Sequence, residues 1–582
     1  MLDPNKASNP SPGAMEVFTR WLSHREMPTD LYEELQQIGT NKEEIEERFY
    51  KQLEFGTGGM RGIIGAGTNR LNVYTVRRAA QGIATYLQQK GEAAAKQGIA
   101  IAYDSRKYSE EFAGQMASLF AHSGIKVYLF HELVPTPLLS FAIRHLHASA
   151  GIVITASHNP PEYNGIKVYN QQGGQITEQD AQDIYDEIQA SGDPLEIPQP
   201  PVTPGDQQIV MIGSEVVEAY NRQVEQLLCQ RPLIQEKGSS LSIVYTPLHG
   251  TGRKLIPELL KRVGFTRVHV VEEQATADSR FPTVKAPNPE EREAFDLALM
   301  LAANTQADLI MATDPDADRL GVLVKTDSAY EMVNGNQLGA LLLHYLLQQA
   351  GPYTDGLMLK TIVTSDLGER IAERYGVKTI NTLTGFKYIG EKIEECCTEG
   401  SHTFVFGYEE SYGYLAGDFV RDKDAVQIVV LVAEMALYYQ QQGKNLFQIL
   451  EDMYQTYGYY REELVSLTLS GREGREQMEE CLSSLRSNPP KQLAGYVVET
   501  VEDYERQIKT RVETGQGESL DLPKSNVIKF ILADKSWVAV RPSGTEPKMK
   551  VYLSTNAPTS DEDAREKMAA LRGALSELIR LP

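Results

Sequence analysis

The chain has 582 residues, about four times the usual domain length of roughly 150, so we expect three to five domains. Hydrophobic residues make up 41% of it and charged residues 23%, which is typical of an ordinary globular protein. The 57 basic residues against 79 acidic ones give a formal charge of −22, which argues against binding to nucleic acid or to an anionic membrane.

Targeting and cysteine patterns predict an intracellular protein. The N-terminus, MLDPNKASNPSPG, has neither the basic start nor the apolar core of a signal peptide. Polar residues interrupt every apolar stretch before it reaches the ~20 residues of a membrane span. The four cysteines form no CxxC pair and are too few for a disulfide framework. We therefore expect a cytoplasmic location, with no membrane and no nucleic acid among the partners.

Strand and helix patterns alternate through the first third of the chain. A helix is predicted over 75–91 and another over 109–124, where a Ser-x-Glu start and a glycine stop resemble the ends of a capped helix. Apolar runs within 98–106, 125–131 and 150–160 predict buried strands. Buried strands separated by amphipathic helices are typical of βα units in a parallel or mixed sheet.

The same pattern begins again twice after a Pro-rich, polar linker at 191–208. The end of the chain differs, because strands there are followed by a terminal helix, which favours an α+β domain. We predict an α/β fold of four domains around a central cleft: three related α/β domains with mixed or parallel sheets, then a C-terminal α+β domain. The predicted domains are 1–205, 206–325, 326–458 and 459–582.

One polar loop in each predicted domain follows a strand, and ligands gather at the carboxyl ends of strands in such sheets. The first loop, Thr155–Pro160, presents Ser157 on a turn set by Asn-Pro, which suits a nucleophile or phosphoryl carrier. A polar turn without chemistry is the alternative, since Asn-Pro marks turns routinely. His158 and Lys167 lie close in sequence, and each could move a proton or be structural.

The second loop carries three carboxylates, Asp314, Asp316 and Asp318, directly after an apolar strand. Alternate residues of an extended segment point the same way, so these like charges need a cation to offset their repulsion. Oxygen ligands suit Mg²⁺ or Ca²⁺, and three carboxylates leave positions open for water or a phosphate oxygen, as Mg²⁺ prefers. The alternative is a solvated acidic turn, which the preceding buried strand disfavours.

The other two loops carry groups suited to a sugar and to a phosphate. In the third, 407–413, Glu409 and Glu410 stand beside Ser411 and could bind hydroxyl groups of a polyol, or form an acidic surface turn. In the fourth, 541–548, arginine offers a bidentate donor and glycine lets a backbone N–H approach an oxyanion. The candidate phosphate ligands are Arg541, Ser543, Gly544 and Thr545. No GxxxxGK[ST] occurs, and no GxGxxG follows a strand, which argues against ATP or NAD.

TASHNP, DPDADR, GYEES and RPSGTEPK, in this order and spacing, resemble the four signature loops of the α-D-phosphohexomutase superfamily. The resemblance covers nearly the whole chain, and its specificity comes from the joint occurrence of the motifs. Residues 56–61, GTGGMR, resemble the family's threonine–glycine–arginine loop. The resemblance is greatest to the phosphoglucomutase branch, including the larger phosphoglucomutase/phosphopentomutase subgroup.

This resemblance implies an enzyme that interconverts glucose 1-phosphate and glucose 6-phosphate. Ser157 would carry the phosphoryl group, and Asp314, Asp316 and Asp318 would hold one Mg²⁺ per chain with a phosphoserine oxygen. Glucose 1,6-bisphosphate would be the intermediate and activator. The remaining catalytic candidates are Arg61, Lys167 and His158, and one of the last two would be the general acid–base. The implied substrate ligands are Thr384, Gly385, Glu409, Ser411, Lys423, Arg541, Ser543, Gly544 and Thr545.

The sequence departs from the family pattern in two loops. Tyr408 separates Gly407 from the two glutamates, where relatives often have glycine followed directly by glutamate. Thr57 is followed by Gly58, where many glucomutases have serine. We expect both departures to touch the choice of sugar, so phosphomannomutase and phosphopentomutase activities are kept as alternatives.

Two alternatives lie outside the family. DLIMATDPDAD also resembles the start of aspartate-nucleophile phosphatases, which would make the chain a sugar phosphatase but would leave Ser157 and RPSGTEPK without a role. A regulatory protein that binds sugar phosphates without turnover would not need all four loops. The expected partner is a small phosphosugar, and the oligomeric state, monomer or dimer, stays open. Mg²⁺ with Arg61, Lys167, Lys423 and Arg541 would supply local positive charge in this acidic chain.

Overall fold

The computed structural model describes residues 13–24, 26–56, 58–198, 200, 207–469, 471–543 and 548–579. None of the helices in these ranges is both long enough and apolar enough to cross a lipid bilayer. The chain forms two compact units. The first unit comprises 1–228, 234–321 and 417–430, and the second comprises 229–233, 322–416 and 431–582.

Strands and helices alternate along the chain up to residue 313. The strands are β1 (Phe55–Gly56), β2 (Gly59–Ile63), β3 (Ile99–Tyr103), β4 (Val127–Phe130), β5 (Ala150–Ile154), β6 (Tyr163–Asn170), β7 (Ile209–Ile212), β8 (Ser242–Thr246), β9 (Arg267–Val270) and β10 (Leu309–Thr313). The helices are α1 (Ala14–Leu22), α2 (Thr29–Ile38), α3 (Lys42–Phe49), α4 (Val73–Gln89), α5 (Glu92–Gln97), α6 (Ser109–His122), α7 (Thr136–Leu146), α8 (Glu178–Ala190), α9 (Ser214–Gln226), α10 (Arg231–Lys237), α11 (Gly252–Val263), α12 (Glu272–Ala275) and α13 (Asp296–Thr305). Short 3₁₀ helices occur at Pro194–Glu196, Gly238–Ser240 and Arg292–Phe295.

The first unit contains a seven-stranded mixed sheet and a set of parallel strands. The sheet has the order β1-β2-β6-β5-β3-β4-β7, in which β5, β3, β4 and β7 are parallel and β6 is antiparallel to β5. Its core is built from α1, α4, α6 and the strands, and includes Trp21, Val76, Ile101, Phe120 and Ile152. Two further strands, β9 and β10, pair in parallel with either side of β8. The loops that leave β3, β5 and β10 carry the polar residues described below.

The elements from residue 320 onwards complete the chain. The strands are β11 (Leu320–Lys325), β12 (Tyr330–Val333), β13 (Gly356–Thr361), β14 (Lys378–Thr382), β15 (Thr403–Glu409), β16 (Gly413–Leu415), β17 (Tyr459–Thr468), β18 (Gln492–Leu493), β19 (Tyr496–Asp503), β20 (Ile508–Arg511), β21 (Gly517–Ser519), β22 (Ile528–Leu532), β23 (Trp537–Pro542) and β24 (Lys548–Ala557). The helices are α14 (Gly335–Ala350), α15 (Leu367–Arg374), α16 (Phe386–Glu399), α17 (Ala425–Gln440), α18 (Leu446–Tyr457), α19 (Gly471–Ser487), α20 (Asp561–Gly573) and α21 (Leu575–Leu578).

The second unit contains a mixed sheet and a larger antiparallel sheet. The mixed sheet has the order β14-β13-β15-β16, with β13 parallel to both β14 and β15. The antiparallel sheet has the order β17-β24-β23-β22-β19-β20-β21, and β18 pairs with β19. A core between this sheet and its helices includes Leu482, Phe530, Val551 and Leu571. The α/β class of the first three predicted domains and the α+β character of the last are confirmed.

The predicted start of α6 is wrong in one respect. Ser109 does not cap the helix, because the cap position is Tyr108, at a left-handed φ of 65°, and no side chain caps it. The Ser109 hydroxyl instead donates to Asp104 Oδ1 at 2.8 Å. The predicted glycine stop lies just beyond the helix, where Gly124 has a φ of 77° that suits glycine.

Candidate active site

The loop after β5 presents Ser157 in a constrained conformation. Ser157 has a φ of 51°, in the left-handed region that a non-glycine residue rarely adopts. Its N–H donates to Thr155 Oγ1 at 2.8 Å, and its hydroxyl donates to Asp314 Oδ2 at 2.6 Å. The Nδ1 atom of His158 lies 3.1 Å from the same Oγ. Such backbone strain persists only where surrounding contacts hold it, and it occurs often at functional sites.

A buried arginine that sequence reasoning missed holds this loop. The Arg106 guanidinium donates to the carbonyl oxygens of Ser157 at 2.6 Å, Pro160 at 2.8 Å and Tyr163 at 2.9 Å, and also to that of Asn159. Its Nε lies 3.6 Å from Asp104 Oδ2, and both side chains are fully buried. Arg106 comes shortly after strand β3, so the rule that pointed to the other loops also pointed here.

The three predicted aspartates form a buried cluster. The carboxylate groups of Asp314, Asp316 and Asp318 each place one oxygen within 4.8 Å of the others. The loop closes on itself, because Asp314 Oδ1 accepts the backbone N–H groups of Asp318 at 3.1 Å and Arg319 at 3.0 Å. The side chain of Thr136 donates to Asp316 Oδ2 at 3.0 Å.

Two lysines that were predicted separately meet this cluster. Lys167 Nζ donates to Asp316 Oδ2 at 2.8 Å and to Asp318 Oδ2 at 3.2 Å. Lys423 Nζ lies 3.2 Å from Asp318 Oδ2. Arg61 reaches the serine loop instead, since its Nη1 donates to Asn159 Oδ1 at 3.1 Å. The structure thus brings together every predicted catalytic and metal-binding residue of the first unit, along with Lys423.

The pKa values follow from burial and from these ion pairs. Burial, and then the neighbouring carboxylates, raise the pKa of Asp314 well above its ordinary value. Burial opposes ionisation of Asp318 too, but Lys423 and Lys167 outweigh it and hold that pKa below its ordinary value. Burial opposes the charged form of Lys167, but Asp316 and Asp318 outweigh it and raise the pKa of this lysine. The pKa of His158 falls well below its ordinary value because of burial and then the nearby arginines.

The donor set of the cluster fits a divalent cation. Among the described residues, Asp316 Oδ1 and Asp318 Oδ1 are buried and have no hydrogen-bond partner. Buried charged oxygens without a partner carry a large desolvation cost, which a bound cation would offset. All three ligands are carboxylates, the ligand type of Mg²⁺ and Ca²⁺ rather than of softer metals.

The predicted sugar and phosphate ligands of the second unit lie in three places, at the carboxyl ends of β14, β15 and β23. The backbone N–H of Gly385, at a φ of 120°, donates to Glu409 Oε1 at 2.8 Å. The hydroxyls of Thr361 and Thr364 hold Glu410 Oε2 at 3.2 and 3.1 Å.

Arg541 lies near the end of β23 and contacts Tyr552 on β24. Arg541 donates through Nη2 to the Tyr552 hydroxyl at 3.1 Å. Burial, and then the charge of Glu410, raise the pKa of Tyr552 to about 12.

The remaining predicted residues are placed as follows. Thr384 and Ser411 are half-buried beside Gly385 and Glu410, and Ser543 is half-buried with its N–H donating to Lys548 O at 2.7 Å. Thr57, Gly544 and Thr545 lie outside the described residues. Tyr408 is fully buried, and its ring packs where side chains at Gly339 and Gly368 would collide with it. Side chains alternate along a strand, so Tyr408 and Glu409 point to opposite faces, and the expected effect of Tyr408 on sugar choice stays a prediction.

Comparison with known proteins agrees with this fold. The chain matches the phosphoglucomutase/phosphomannomutase alpha/beta/alpha domain I over 52–194, domain II over 218–327, domain III over 334–457 and the C-terminal domain over 497–572. Phosphoglucomutases of Staphylococcus haemolyticus (strain JCSC1435) and Staphylococcus aureus (strain MRSA252) are each 41% identical to it, over 90% of this chain and 93% of theirs.

Two solved structures share the fold at low identity. The phosphoglucomutase pp63/parafusin of Paramecium, in its open form, aligns with a TM-score of 0.69 at 17% identity, over 91% of this chain and 96% of that one. A phosphoglucomutase/phosphomannomutase family protein of Burkholderia thailandensis aligns with a TM-score of 0.64 at 20% identity, over 91% and 98% of the two chains.

The four matched domains define a phosphohexomutase, an isomerase that moves a phosphoryl group within its substrate. The chain belongs to the phosphoglucomutase/phosphomannomutase family of the α-D-phosphohexomutase superfamily. Family and enzyme class, predicted from the four loops, are thereby confirmed. The alternatives of an aspartate-nucleophile phosphatase and of a regulatory protein without turnover are set aside.

Proposed function

We propose that this chain interconverts glucose 1-phosphate and glucose 6-phosphate through a phosphorylated Ser157 and a glucose 1,6-bisphosphate intermediate. The observation that carries the proposal is the 2.6 Å hydrogen bond from the Ser157 hydroxyl to Asp314, inside a buried three-carboxylate cluster. A serine held against a cation-binding group is the arrangement that phosphoryl transfer to and from a hydroxyl needs. The 41% identity to two phosphoglucomutases supports glucose phosphates as the substrates.

The chemistry consists of two transfers in opposite directions. In the first, a hydroxyl of the sugar monophosphate attacks the phosphorus of phosphoserine, the bond from phosphorus to Ser157 Oγ breaks, and the bisphosphate forms. The bisphosphate then turns around, so that its other phosphoryl group returns to Ser157 Oγ and the isomeric monophosphate leaves. Each transfer moves one proton between the sugar hydroxyl and the serine oxygen, so one group near Oγ must accept and return it.

His158 is a better candidate than Lys167 for the group that accepts and returns this proton. Its Nδ1 lies 3.1 Å from Ser157 Oγ, and its lowered pKa keeps the ring neutral and able to accept. Lys167 is held between two aspartates, and its raised pKa keeps it charged. We therefore assign proton transfer to His158 and an electrostatic role to Lys167.

The remaining groups bind the substrate. Asp314, Asp316 and Asp318 would hold Mg²⁺, which would offset the negative charge of the transferring phosphoryl group. Glu409 and Ser411, with Thr384 and Gly385, would bind sugar hydroxyls, and the Arg541 loop would bind the phosphate that is not reacting. The domain limits 1–205, 206–325, 326–458 and 459–582, the cytoplasmic location and the open choice between monomer and dimer stay as predictions.

The test is Ser157→Ala, assayed for conversion of glucose 1-phosphate to glucose 6-phosphate with Mg²⁺ and a trace of glucose 1,6-bisphosphate. We expect kcat to fall by about a thousandfold or more, because the group that carries the phosphoryl is lost. The matched control is Ser149→Ala, whose hydroxyl bonds to Gln97 and lies outside the site. Full turnover by Ser157→Ala would contradict the proposal.

Two further measurements separate the parts of the proposal. Intact mass should show a fraction of the wild-type chain heavier by one phosphoryl group, and that fraction should be missing from Ser157→Ala. Faster turnover of mannose 1-phosphate or ribose 1-phosphate than of glucose 1-phosphate would keep the phosphoserine mechanism and change the assigned sugar.

A further inference from the structure

A polar network in the second unit joins the sugar loop to the antiparallel sheet. It is centred on the segment from Lys360 to Asp366, between β13 and α15. At one end of this segment, Thr361 and Thr364 donate to the Glu410 carboxylate. At the other end, Asp366 accepts Lys360 Nζ at 2.8 Å on Oδ1 and Trp537 Nε1 at 3.0 Å on Oδ2. The same segment therefore holds a sugar-loop carboxylate and a residue of β23.

A buried lysine makes a second connection between the same two parts. Lys529, on β22, donates through Nζ to Ile362 O at 2.7 Å and lies 4.2 Å from the centroid of the Trp537 ring. It is 7% exposed. A buried ammonium group that donates to a carbonyl oxygen and faces an aromatic ring is fixed in position, since moving it would leave its charge without partners.

The two connections lie on the same elements as the predicted ligand residues. Trp537 begins β23, and Arg541 is four residues further along this strand, about 13 Å away at the usual rise. An apolar cluster packs around both connections and includes Leu383 and Tyr552. Leu383 directly precedes Thr384, and the Tyr552 hydroxyl accepts a hydrogen bond from the Arg541 guanidinium. The residues predicted to bind the sugar and the phosphate are therefore linked to one packed network of side chains.

We propose that Asp366, Trp537 and Lys529 are positioning residues that fix Arg541, on β23, at a set distance from the sugar-loop carboxylates Glu409 and Glu410. The inference rests on the proposed function, because the distance matters only if both loops bind the same phosphosugar. In this role the three side chains act through β23 and the segment after β13. Their contribution is to the binding of the non-reacting phosphate, which is held in the ground state and in the transition state alike. Loss of such uniform binding raises KM and leaves kcat unchanged.

The test is Trp537→Phe, which removes the indole donor to Asp366 and keeps an aromatic ring over Lys529. Trp537, Lys529 and Asp366 line a cavity of about 430 Å³, so the smaller ring enlarges an existing space and the fold should be kept. We expect KM for glucose 1-phosphate to rise about 3- to 10-fold, with kcat within about twofold of wild type. The phosphoserine fraction and the melting temperature should change little.

Trp21→Phe is the matched control. Trp21 Nε1 is buried and has no hydrogen-bond partner among the described residues, so the same chemical change removes no bond. Trp21 and Trp537 are the two tryptophans of the chain, so Trp21→Phe also leaves Trp537 as the single tryptophan fluorophore. In this Trp21→Phe background, we expect Lys529→Met to alter the fluorescence emission of Trp537. Lys529→Arg should restore the emission, because its guanidinium can still reach a carbonyl oxygen.

The outcomes separate this inference from the proposed function. A KM for Trp537→Phe and for Lys529→Met equal to that of wild type would overturn the inference while phosphoglucomutase activity stands. A fall in kcat that tracks a lower melting temperature, with KM unchanged, would show a merely structural role and would also overturn it. A wild-type chain that turns over no glucose phosphate would overturn the proposed function, and the inference with it.

Discussion

Arg106 shows how one side chain sets the geometry of the loop around Ser157. Its guanidinium donates to four carbonyl oxygens between Ser157 and Tyr163 while its charge faces Asp104. A planar group with five donors can satisfy this many acceptors at once, and a lysine cannot. The left-handed conformation of Ser157 thus has an identifiable support.

Arg106→Lys tests this support. The ammonium keeps a charge near Asp104 but loses most of the carbonyl contacts, so we expect kcat to fall about tenfold or more, and the free energy of unfolding to fall by about 1–3 kcal/mol. Steady-state kinetics and urea denaturation measure the two effects. Arg222→Lys is the control, because Arg222 makes an exposed pair with Glu218 on one helix. An unchanged kcat in Arg106→Lys would show that the loop keeps its shape without the guanidinium.

The site residues could be predicted where local sequence encodes their chemistry. Ser157 and Asp314 follow the predicted strands in loops of unusual composition, and the structure brings the two side chains together at 2.6 Å. Arg106 follows a strand too, but nothing in the sequence shows that its partners are carbonyl oxygens more than 50 residues away. The contact of Lys167 with Asp316 likewise joins residues 149 positions apart, which spacing cannot reveal.

At the scale of elements, strands were easier to predict than helix ends. Strands β3, β5 and β10 are buried along their whole length, so each reads as a continuous apolar run. Helix α4 begins at Val73 rather than at the predicted 75, because Asn72 and Thr75 form a reciprocal capping box. The usual capping-box sequence has Ser or Thr at the cap and Glu or Gln three residues later, so Asn72 and Thr75 do not mark this helix start in the sequence.

The beginning of α17 carries a buried charge. Asp424 is fully buried and accepts the N–H groups of Val426 at 3.0 Å and Gln427 at 3.1 Å, as well as the Tyr220 hydroxyl. These bonds favour its ionised form, but burial outweighs them and raises the pKa of Asp424 to about 6. Because of this burial, protonation of Asp424 stabilises the folded chain relative to the unfolded chain.

The pH dependence of stability follows from that shift. Between about pH 4 and about pH 6 the folded chain keeps a proton on Asp424 that the unfolded chain has lost, so this contribution is greatest below pH 4 and declines up to pH 6. Asp424→Asn keeps the acceptor oxygen and removes the titration. At pH 7.5 we expect the variant to be more stable by about 2 kcal/mol, and at pH 4 to differ little. Urea denaturation at the two pH values measures this, and a variant less stable at pH 7.5 would contradict it.

At the scale of the whole molecule, the predicted metal ligands all belong to the first unit. Each unit also holds one of the two tryptophans, Trp21 in the first and Trp537 in the second. Because a cation that binds only folded protein stabilises it by mass action, Mg²⁺ should stabilise the unit that Trp21 reports.

Thermal unfolding with and without Mg²⁺ checks this, with Trp537→Phe leaving Trp21 as the reporter. At about 100 times its dissociation constant, Mg²⁺ should add about 2.7 kcal/mol to the free energy of unfolding and raise the Trp21 midpoint. In the combined variant Asp314→Asn, Asp316→Asn, Asp318→Asn, we expect Mg²⁺ to leave the unfolding midpoint unchanged. Without metal, the midpoint of this variant should be higher than that of the wild-type cluster, because the repulsion between the carboxylates is gone. An equal Mg²⁺ shift in this variant would place the ion elsewhere.

The path of the chain between the units has a consequence for synthesis on the ribosome. The first unit is completed only by residues 417–430, which follow a long segment of the second. Lys423, which pairs with Asp318 at 3.2 Å, is translated 105 residues after it. At about 5–20 residues per second, the acidic loop emerges roughly 5–20 s before this lysine does. During that interval the nascent chain lacks one of the cations that balance its carboxylates, and a divalent ion from the surroundings can take that place first.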